Sequence, residues 1–191
     1  MFKWLKAFVI FPFMMIICLL VSMKVAASEE AKITDVLVSM KNGDLLVVAK
    51  LQGCFTPKIE SAILAGIPTT FTFIIDLYEE RPFWFDRRIK TVSEVKTIKY
   101  DLLKKIFYVT IGHATEPLTF QDFESAKRAM SEYNITIPAS DILRKTNNSA
   151  YYVKMKAQMD KIKLPLRLEM IFVFVSLWDF ETAWYRYPVK F

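Results

Sequence analysis

The chain is poor in the side chains that most often hold metals or act as nucleophiles and bases. Its 191 residues include two cysteines and one histidine. Cys18 lies in an apolar N-terminal run, so Cys54 is the only cysteine outside that run, and no intramolecular disulfide can form in the rest of the chain. A zinc site of cysteines and histidines is excluded as well, because His113 is the only histidine. We predict no metal and no cofactor. We interpret Cys54 as a small buried apolar side chain, with a reactive thiol as the alternative.

Glycine and clustered positive charge are also scarce. Four glycines stand singly along the chain, so no glycine-rich loop is available to cradle a phosphate. The formal net charge is +6, but three of the lysines lie in the first 27 residues, and no run of five or more lysines or arginines occurs. A mildly basic, well-mixed surface gives no reason to expect nucleic acid as a partner.

Hydrolytic chemistry has little support in this composition. His113 lies in a predicted turn, and no Gly-x-Ser-x-Gly sequence offers it a nucleophile. A glycosidase would need two carboxylates facing each other across a cleft, and any domain offers as many acids as this one. The candidate acids are Asp76, Glu79, Glu80, Asp86, Asp179 and Glu181. We expect most of them to be solvated or paired with nearby arginines, and we expect no enzyme, with a carboxylate-pair hydrolase as an alternative.

The N-terminus has the pattern of a secretory signal. Lys3 and Lys6 supply a positive start, and the apolar run Ala7–Val21 follows it. Val25-Ala26-Ala27 then places small residues at the −3 and −1 positions of a cut after Ala27. The charge resists crossing the membrane while the apolar run partitions into it, so we predict export.

The same segment also fits an uncleaved anchor. Residues 7–23 are at the lower end of the roughly 17–25 residues that span a bilayer, although Pro12 suits a signal better than a long stable helix. The expected location is the periplasm, either soluble after cleavage near Ala27 or anchored in the inner membrane by residues 7–23. Membrane contact is expected only through residues 1–27, if they are uncleaved. We expect residues 28–191 to form a single domain.

Strand patterns dominate those residues. Residues 33–40 and 45–52 are apolar and β-branched, and Asn42-Gly43 between them suits a hairpin turn. Tyr151–Ile162 alternates, which predicts a half-buried strand with a solvated face. Met170–Trp178 is nearly all apolar, which predicts an interior strand with both faces covered. Further strands are predicted over 69–78, 89–99, 105–111 and 135–137.

Two short helices interrupt the strands. Thr56 and Pro57 suit the cap and the first position of a helix that Gly66 ends. Thr119 to Tyr133 has apolar residues at helical spacing, with Thr119 as its predicted cap. Seven or eight strands and two helices predict a mainly β fold. It is an antiparallel two-sheet β-sandwich, immunoglobulin-like in broad architecture, after an N-terminal signal or anchor helix.

Aromatic residues alternate with charged ones in two parts of the chain. Large rings are what a sandwich without disulfides uses to fill its core and seal its ends, and this is the interpretation we favour. The alternative is an amphipathic platform for a glycan, a peptide or a membrane surface, because rings offer stacking faces and guanidinium groups offer forked donors. The candidate binding surface consists of Trp84, Arg87, Arg88, Trp184, Tyr185 and Arg186.

Six short sequences, taken in their order along the chain, point to a family. They are Asp35-Val36-Leu37-Val38, Leu51-Gln52-Gly53-Cys54-Phe55, Gly66-Ile67-Pro68-Thr69-Thr70-Phe71, Arg81-Pro82-Phe83-Trp84-Phe85-Asp86, Leu164-Pro165-Leu166-Arg167-Leu168 and Trp178-Asp179-Phe180-Glu181-Thr182-Ala183-Trp184-Tyr185. Together they resemble a bacterial envelope family known as domain of unknown function 4390, over nearly the whole of residues 28–191. The resemblance implies an exported bacterial protein and no assigned activity, so no catalytic residue is carried over from it.

The expected function follows from the export signal and from the missing chemistry. We expect an exported non-catalytic module that binds a partner protein or another envelope component. One alternative is a carrier of lipid or of a small ligand, which would need an apolar cavity of roughly 300–1,000 Å³ between the sheets. Sequence alone does not separate these two, and it leaves the oligomeric state open.

Overall fold

The computed structural model describes residues 30–139, 150–160 and 180–189. The predicted signal or anchor and the predicted interior strand Met170–Trp178 lie outside these residues. The described strands are β1 (Lys32–Lys41), β2 (Asp44–Gln52), β3 (Thr69–Glu79), β4 (Arg87–Asp101), β5 (Ile106–Ile111), β6 (Leu118–Phe120), β7 (Glu132–Ile137), β8 (Tyr151–Met159) and β9 (Tyr185–Val189). The described helices are α1 (Pro57–Leu64) and α2 (Phe123–Ser131).

These strands form two antiparallel sheets. The smaller sheet has the order β1-β2-β7, and the larger has the order β6-β5-β4-β3-β8-β9. The predicted class, a mainly β two-sheet sandwich with two short helices, is confirmed. The sequence did not predict β6 and β9, and these are the two edge strands of the larger sheet.

The core lies between the sheets and is centred on β3. Phe71, Phe73, Ile75 and Leu77 alternate along this strand and are fully buried. The ring of Phe73 stacks on Tyr133 of β7, with ring centroids 4.4 Å apart. This contact joins the central strand of the larger sheet to an edge strand of the smaller one.

The helices begin where short-range chemistry places their caps. Thr56 accepts a hydrogen bond from the Ile59 N–H and Pro57 opens α1, as predicted. The prediction that the second helix starts at Thr119 is wrong. Asp122 is its cap and accepts from the Ser125 N–H at 2.7 Å. Leu118–Phe120 pair with β5 as strand β6. Thr119 and Phe120, which were predicted to be helical, are therefore part of the larger sheet.

The predicted solvated face of β8 is also only partly present. Tyr152 is 3% exposed, and Lys154 and Lys156 are half-buried. The cause is β9, which pairs with β8 from Tyr151 to Met155.

Candidate functional site

The connection between β3 and β4 carries three exposed rings, which we call the aromatic tip (Phe83, Trp84 and Phe85). Their exposed fractions are 103%, 74% and 87%. Trp84 and Phe85 contact each other edge to face, with centroids 6.5 Å apart. The prediction that these rings fill the core or seal the sandwich is therefore wrong for this cluster. The sequence could not separate the two cases, because a buried and an exposed aromatic cluster have the same composition.

The loop that carries the tip closes on itself. The Trp84 N–H donates to the Arg81 carbonyl at 3.4 Å, and the Arg81 N–H donates to Asp86 Oδ1 at 3.2 Å. Phe83 lies between them with φ +70°, a backbone region that bulky residues rarely adopt. This tight turn leaves all three rings exposed.

Two further contacts, which we call the latch, fix both ends of this loop to the larger sheet. Glu80 Oε1 pairs with Arg186 Nη2 of β9 at 2.7 Å. The Tyr152 hydroxyl of β8 donates to Asp86 Oδ2 at 2.6 Å. The Arg186 guanidinium also lies 3.7 Å from the centroid of the Tyr152 ring. Tyr78 of β3 stacks on the same tyrosine, with the two ring centroids 5.2 Å apart.

The electrostatics of the latch agree with its geometry. The Tyr152 hydroxyl and then the Arg81 N–H lower the pKa of Asp86, because both donate to its charged form. Burial and then the bond to Asp86 raise the pKa of Tyr152 to about 12. At neutral pH, Asp86 is therefore the charged acceptor and Tyr152 the neutral donor.

Arginines surround the base of the tip, and their acidic partners lie beneath them. Arg87 and Arg81 share the carboxylate of Glu79, at 2.9 and 3.6 Å. Arg88 lies 3.8 Å from Asp76. The side chains of Arg81, Arg87 and Arg88 are 39%, 53% and 61% exposed, whereas those of Glu79 and Asp76 are 9% and 6% exposed. The exposed charge of these pairs is therefore positive. The predicted pairing of acids with nearby arginines is confirmed for these two carboxylates.

The structure divides the predicted binding surface into two parts. Arg87 and Arg88 lie at the base of the tip, and Arg186 joins it through the latch. Trp184 lies instead beside Lys156, whose Nζ is 5.6 Å from the ring centroid. That position is four residues along β8 from Tyr152, or about 13 Å.

Tyr185 belongs with neither the tip nor the latch. It pairs with Met155, one residue from Arg186 on β9, so it faces the opposite side of the sheet. Trp184 and Tyr185 are exposed and border a small cavity of about 240 Å³. The other lining residues of this cavity are Glu30, Ala31, Lys32, Ile33, Thr182 and Ala183.

A larger groove lies where β7 meets β4 and β5. Its volume is about 680 Å³, and charged or amide side chains make up half of its lining. Lys96 is buried there and donates to the Ala129 carbonyl near the end of α2 at 2.9 Å, as well as to the Glu132 carbonyl. Burial lowers the pKa of Lys96, and Glu94 at 3.5 Å opposes that shift. The remaining lining residues are Asp35, Val48, Ala49, Lys50, Ile111, Leu118, Tyr133 and Asn134.

The two residues considered for nucleophilic chemistry, Cys54 and His113, lie in a buried position and in an exposed turn. Cys54 is buried, as predicted, and burial raises its pKa to about 12, so the thiol is protonated at neutral pH. His113 is exposed in the turn after β5. Within residues 30–139, 150–160 and 180–189 no group of three or more histidine, cysteine or acidic side chains could hold a metal ion. None of the helices in this part of the chain is both long and apolar enough to cross a membrane.

Sequence reasoning had named Arg186, Glu80 and Asp86 separately, but it missed Tyr152 and the pairings that make up the latch. Tyr152 and Asp86 are 66 positions apart, and Glu80 and Arg186 are 106 apart. No local pattern indicates such pairs. The one usable signal was the alternation of β8, which put Tyr152 on the same face as Lys154 but gave no partner for its hydroxyl.

Comparison with known proteins gives a family and nothing more specific. No curated protein and no solved structure matches the chain. The model of a family described as a domain of unknown function, DUF4390, matches residues 28–188, which is most of the chain and agrees with the resemblance seen in its sequence. The chain is a member of the DUF4390 family.

Proposed function

We propose that this protein is an exported, non-catalytic binding module of the bacterial envelope, and that its aromatic tip is the contact element. The observation that carries the proposal is the exposure of Phe83, Trp84 and Phe85 on a loop whose ends are fixed. Exposed apolar clusters on soluble domains are usually sites of interaction. The secretory pattern of residues 1–27 supports the envelope as the place where that interaction occurs.

The latch supports the same conclusion through the entropy of binding. A loop that must order on binding loses affinity, whereas a loop already held in place does not. Here the Glu80–Arg186 pair and the Tyr152–Asp86 hydrogen bond hold both ends of the loop before any partner arrives. The contacts fix the base and leave the three rings free to touch something else.

A carrier of lipid or of a small ligand is the second candidate. The groove of about 680 Å³ has the volume that such a function needs. Its lining combines Lys96, Glu94 and Glu132 with apolar residues, which suits a small polar ligand better than a lipid chain. We place this candidate second because Lys96 is already engaged in fixing the end of α2.

Site-specific photocrosslinking in the native envelope tests the binding proposal. The full chain carries p-benzoylphenylalanine in place of Trp84, and a matched variant carries it in place of Leu103, which is 95% exposed in the turn between β4 and β5. We expect an adduct, with lipid or protein, from position 84 and little from position 103. An absence of adducts at position 84, or equal yields at both positions in folded protein, would contradict the proposal.

A further inference from the structure

We infer that the aromatic tip inserts into the interface of a lipid bilayer carrying anionic headgroups. The inference rests on the proposed function and specifies its partner. It adds a membrane contact within the folded domain to the one that residues 1–27 would supply if they are uncleaved.

The shape of the tip favours a fluid partner over a small ligand. The three rings project from a hairpin end and are each at least 74% exposed, so they shield little surface with which to enclose a small molecule. Phe83 is fully exposed, and Trp84 and Phe85 meet at an interplanar angle of 75°. A bilayer interface can surround rings that point in several directions, whereas a flat protein surface would cover only some of them.

The residue types also fit this partner. Phenylalanine partitions into the acyl boundary, and tryptophan has an apolar ring with one N–H donor that suits the headgroup level. The tip places one tryptophan between two phenylalanines in the loop that joins β3 to β4. This arrangement favours shallow insertion rather than spanning.

Charge complementarity identifies the headgroup. Arg81, Arg87 and Arg88 surround the base of the tip and are exposed, while their partners Glu79 and Asp76 lie buried beneath them. Across the base of the tip and the latch, four arginines meet four carboxylates, so the positive face does not come from an excess of charge. It comes from the difference in exposure between these three arginines and the buried Glu79 and Asp76. Guanidinium groups bind phosphate oxygens through forked hydrogen bonds. With the rings inserted, these arginines would lie at the height of the lipid phosphates.

Fluorescence quenching by brominated lipids tests the inference with the full chain. The protein is reconstituted in vesicles of phosphatidylglycerol and phosphatidylethanolamine whose acyl chains carry bromine. The signal of Trp84 is the difference between the wild type and Trp84→Phe, which keeps an apolar tip. We expect bromine to quench this difference signal, and we expect no quenching of a reporter moved to the β4–β5 turn in the double variant Trp84→Phe, Leu103→Trp.

A second variant separates the two contributions to binding. Arg87→Gln combined with Arg88→Gln should raise the lipid concentration needed for half-maximal quenching in the anionic vesicles by roughly tenfold, because two positive charges that face the anionic surface are lost. The same variant should behave as the wild type in phosphatidylcholine vesicles. Equal behaviour of variant and wild type in anionic vesicles would contradict the role assigned to the arginines.

The outcomes distinguish the inference from the proposed function. If the Trp84 signal is not quenched in any vesicle, but photocrosslinking at position 84 captures a protein, the lipid inference is overturned and the binding function stands. If neither experiment gives a signal at position 84 in folded protein, both are overturned. Quenching at position 84 with none at position 103 supports both.

Discussion

Phe83 is the residue at which local stability and the proposed function oppose each other most clearly. Its backbone lies at φ +70°, and its ring is fully exposed. Holding a bulky residue in this region costs on the order of 1–3 kcal/mol. No contact of the ring offsets that cost within the described residues. The strain is explained if the ring serves a contact outside the molecule.

Replacing Phe83 with asparagine should therefore stabilise the fold. Asparagine adopts positive φ at lower cost, so we expect Phe83→Asn to raise the free energy of unfolding by about 1 kcal/mol. Denaturant unfolding measures this difference. Phe85→Asn is the matched control, because it makes the same change on a neighbouring exposed ring whose backbone is outside that region. A gain of equal size in both variants, or a loss in Phe83→Asn, would contradict the assignment of strain.

Sequence reasoning was accurate for two features whose partners are close along the chain, although it misplaced the local cap of α2. Thr56 caps α1 through the Ile59 N–H three positions away, and Asn42 and Gly43 adopt the positive φ that the predicted hairpin turn requires. It failed for Lys96, whose buried amine reaches a carbonyl 33 positions away. The contact that makes a buried lysine acceptable is visible only after the chain has folded.

At the scale of elements, the edges of the larger sheet were the least predictable. β6 has three residues and β9 has five, so neither has a long alternating pattern. Pro188 lies in β9, which an edge strand tolerates because one of its sides has no neighbouring strand to receive an N–H. The central strands β3, β4 and β5 were predicted because buried faces impose a long, strict alternation.

The latch is the element whose removal should be measurable without affecting the core. Tyr152→Phe removes the hydroxyl that donates to Asp86 and keeps the ring under Arg186. We expect a loss of about 1 kcal/mol in the free energy of unfolding. Asp86→Asn is the comparison, since it keeps an acceptor for the hydroxyl and removes the charge.

The stability of Tyr152→Phe should depend on pH differently from that of the wild type, because the pKa of Tyr152 is raised in the folded protein. Because the folded-state pKa is about 12 and the ordinary value is 10.0, the folded protein holds this proton more tightly. The resulting stability is fully present below about pH 10 and is lost as the pH rises through 12. Urea unfolding across this range should therefore show a shallower alkaline loss for Tyr152→Phe than for the wild type. Parallel pH profiles of the two proteins would contradict the raised pKa assigned to the Tyr152 hydroxyl in the folded state.

At the scale of the whole molecule, the two sheets depend on one another through a small number of large rings. Phe73→Ala would remove the ring that stacks on Tyr133 and leave a cavity between the sheets. We expect a loss of about 3–5 kcal/mol, which is a large part of a typical total of about 5–15. Ile74→Ala, on the opposite and half-buried face of the same strand, should cost clearly less.

Calorimetry or denaturant unfolding with two probes checks the cooperativity of that loss. A single transition, shifted for both sheets together, is the expected result for Phe73→Ala. Separate transitions for the two sheets would contradict the view that the stacked rings couple them.

The fold class was predictable at this scale, but the division of strands between sheets was not. β7 joins β2 through pairs such as Leu45 with Ile137, which are nearly a hundred positions apart. The alternation of each strand indicates which residues are buried, but it does not indicate which neighbour completes the ladder. The position of the aromatic tip depends on long-range pairing of the same kind, because β8 and β9 pair alongside β3 and supply the latch.

The place of the tip at the end of a long hairpin has a mechanical consequence. A pulling force applied at the tip would enter β3 and β4 along their length. β3 is hydrogen-bonded to β4 on one side and to β8 on the other along nearly its whole length. The two strands joined at the tip would move together, so the force would strain the β3–β8 ladder in shear, with many hydrogen bonds sharing it at once rather than opening one after another. A tether attached at this point would be resisted by the most extensively paired strand in the described structure.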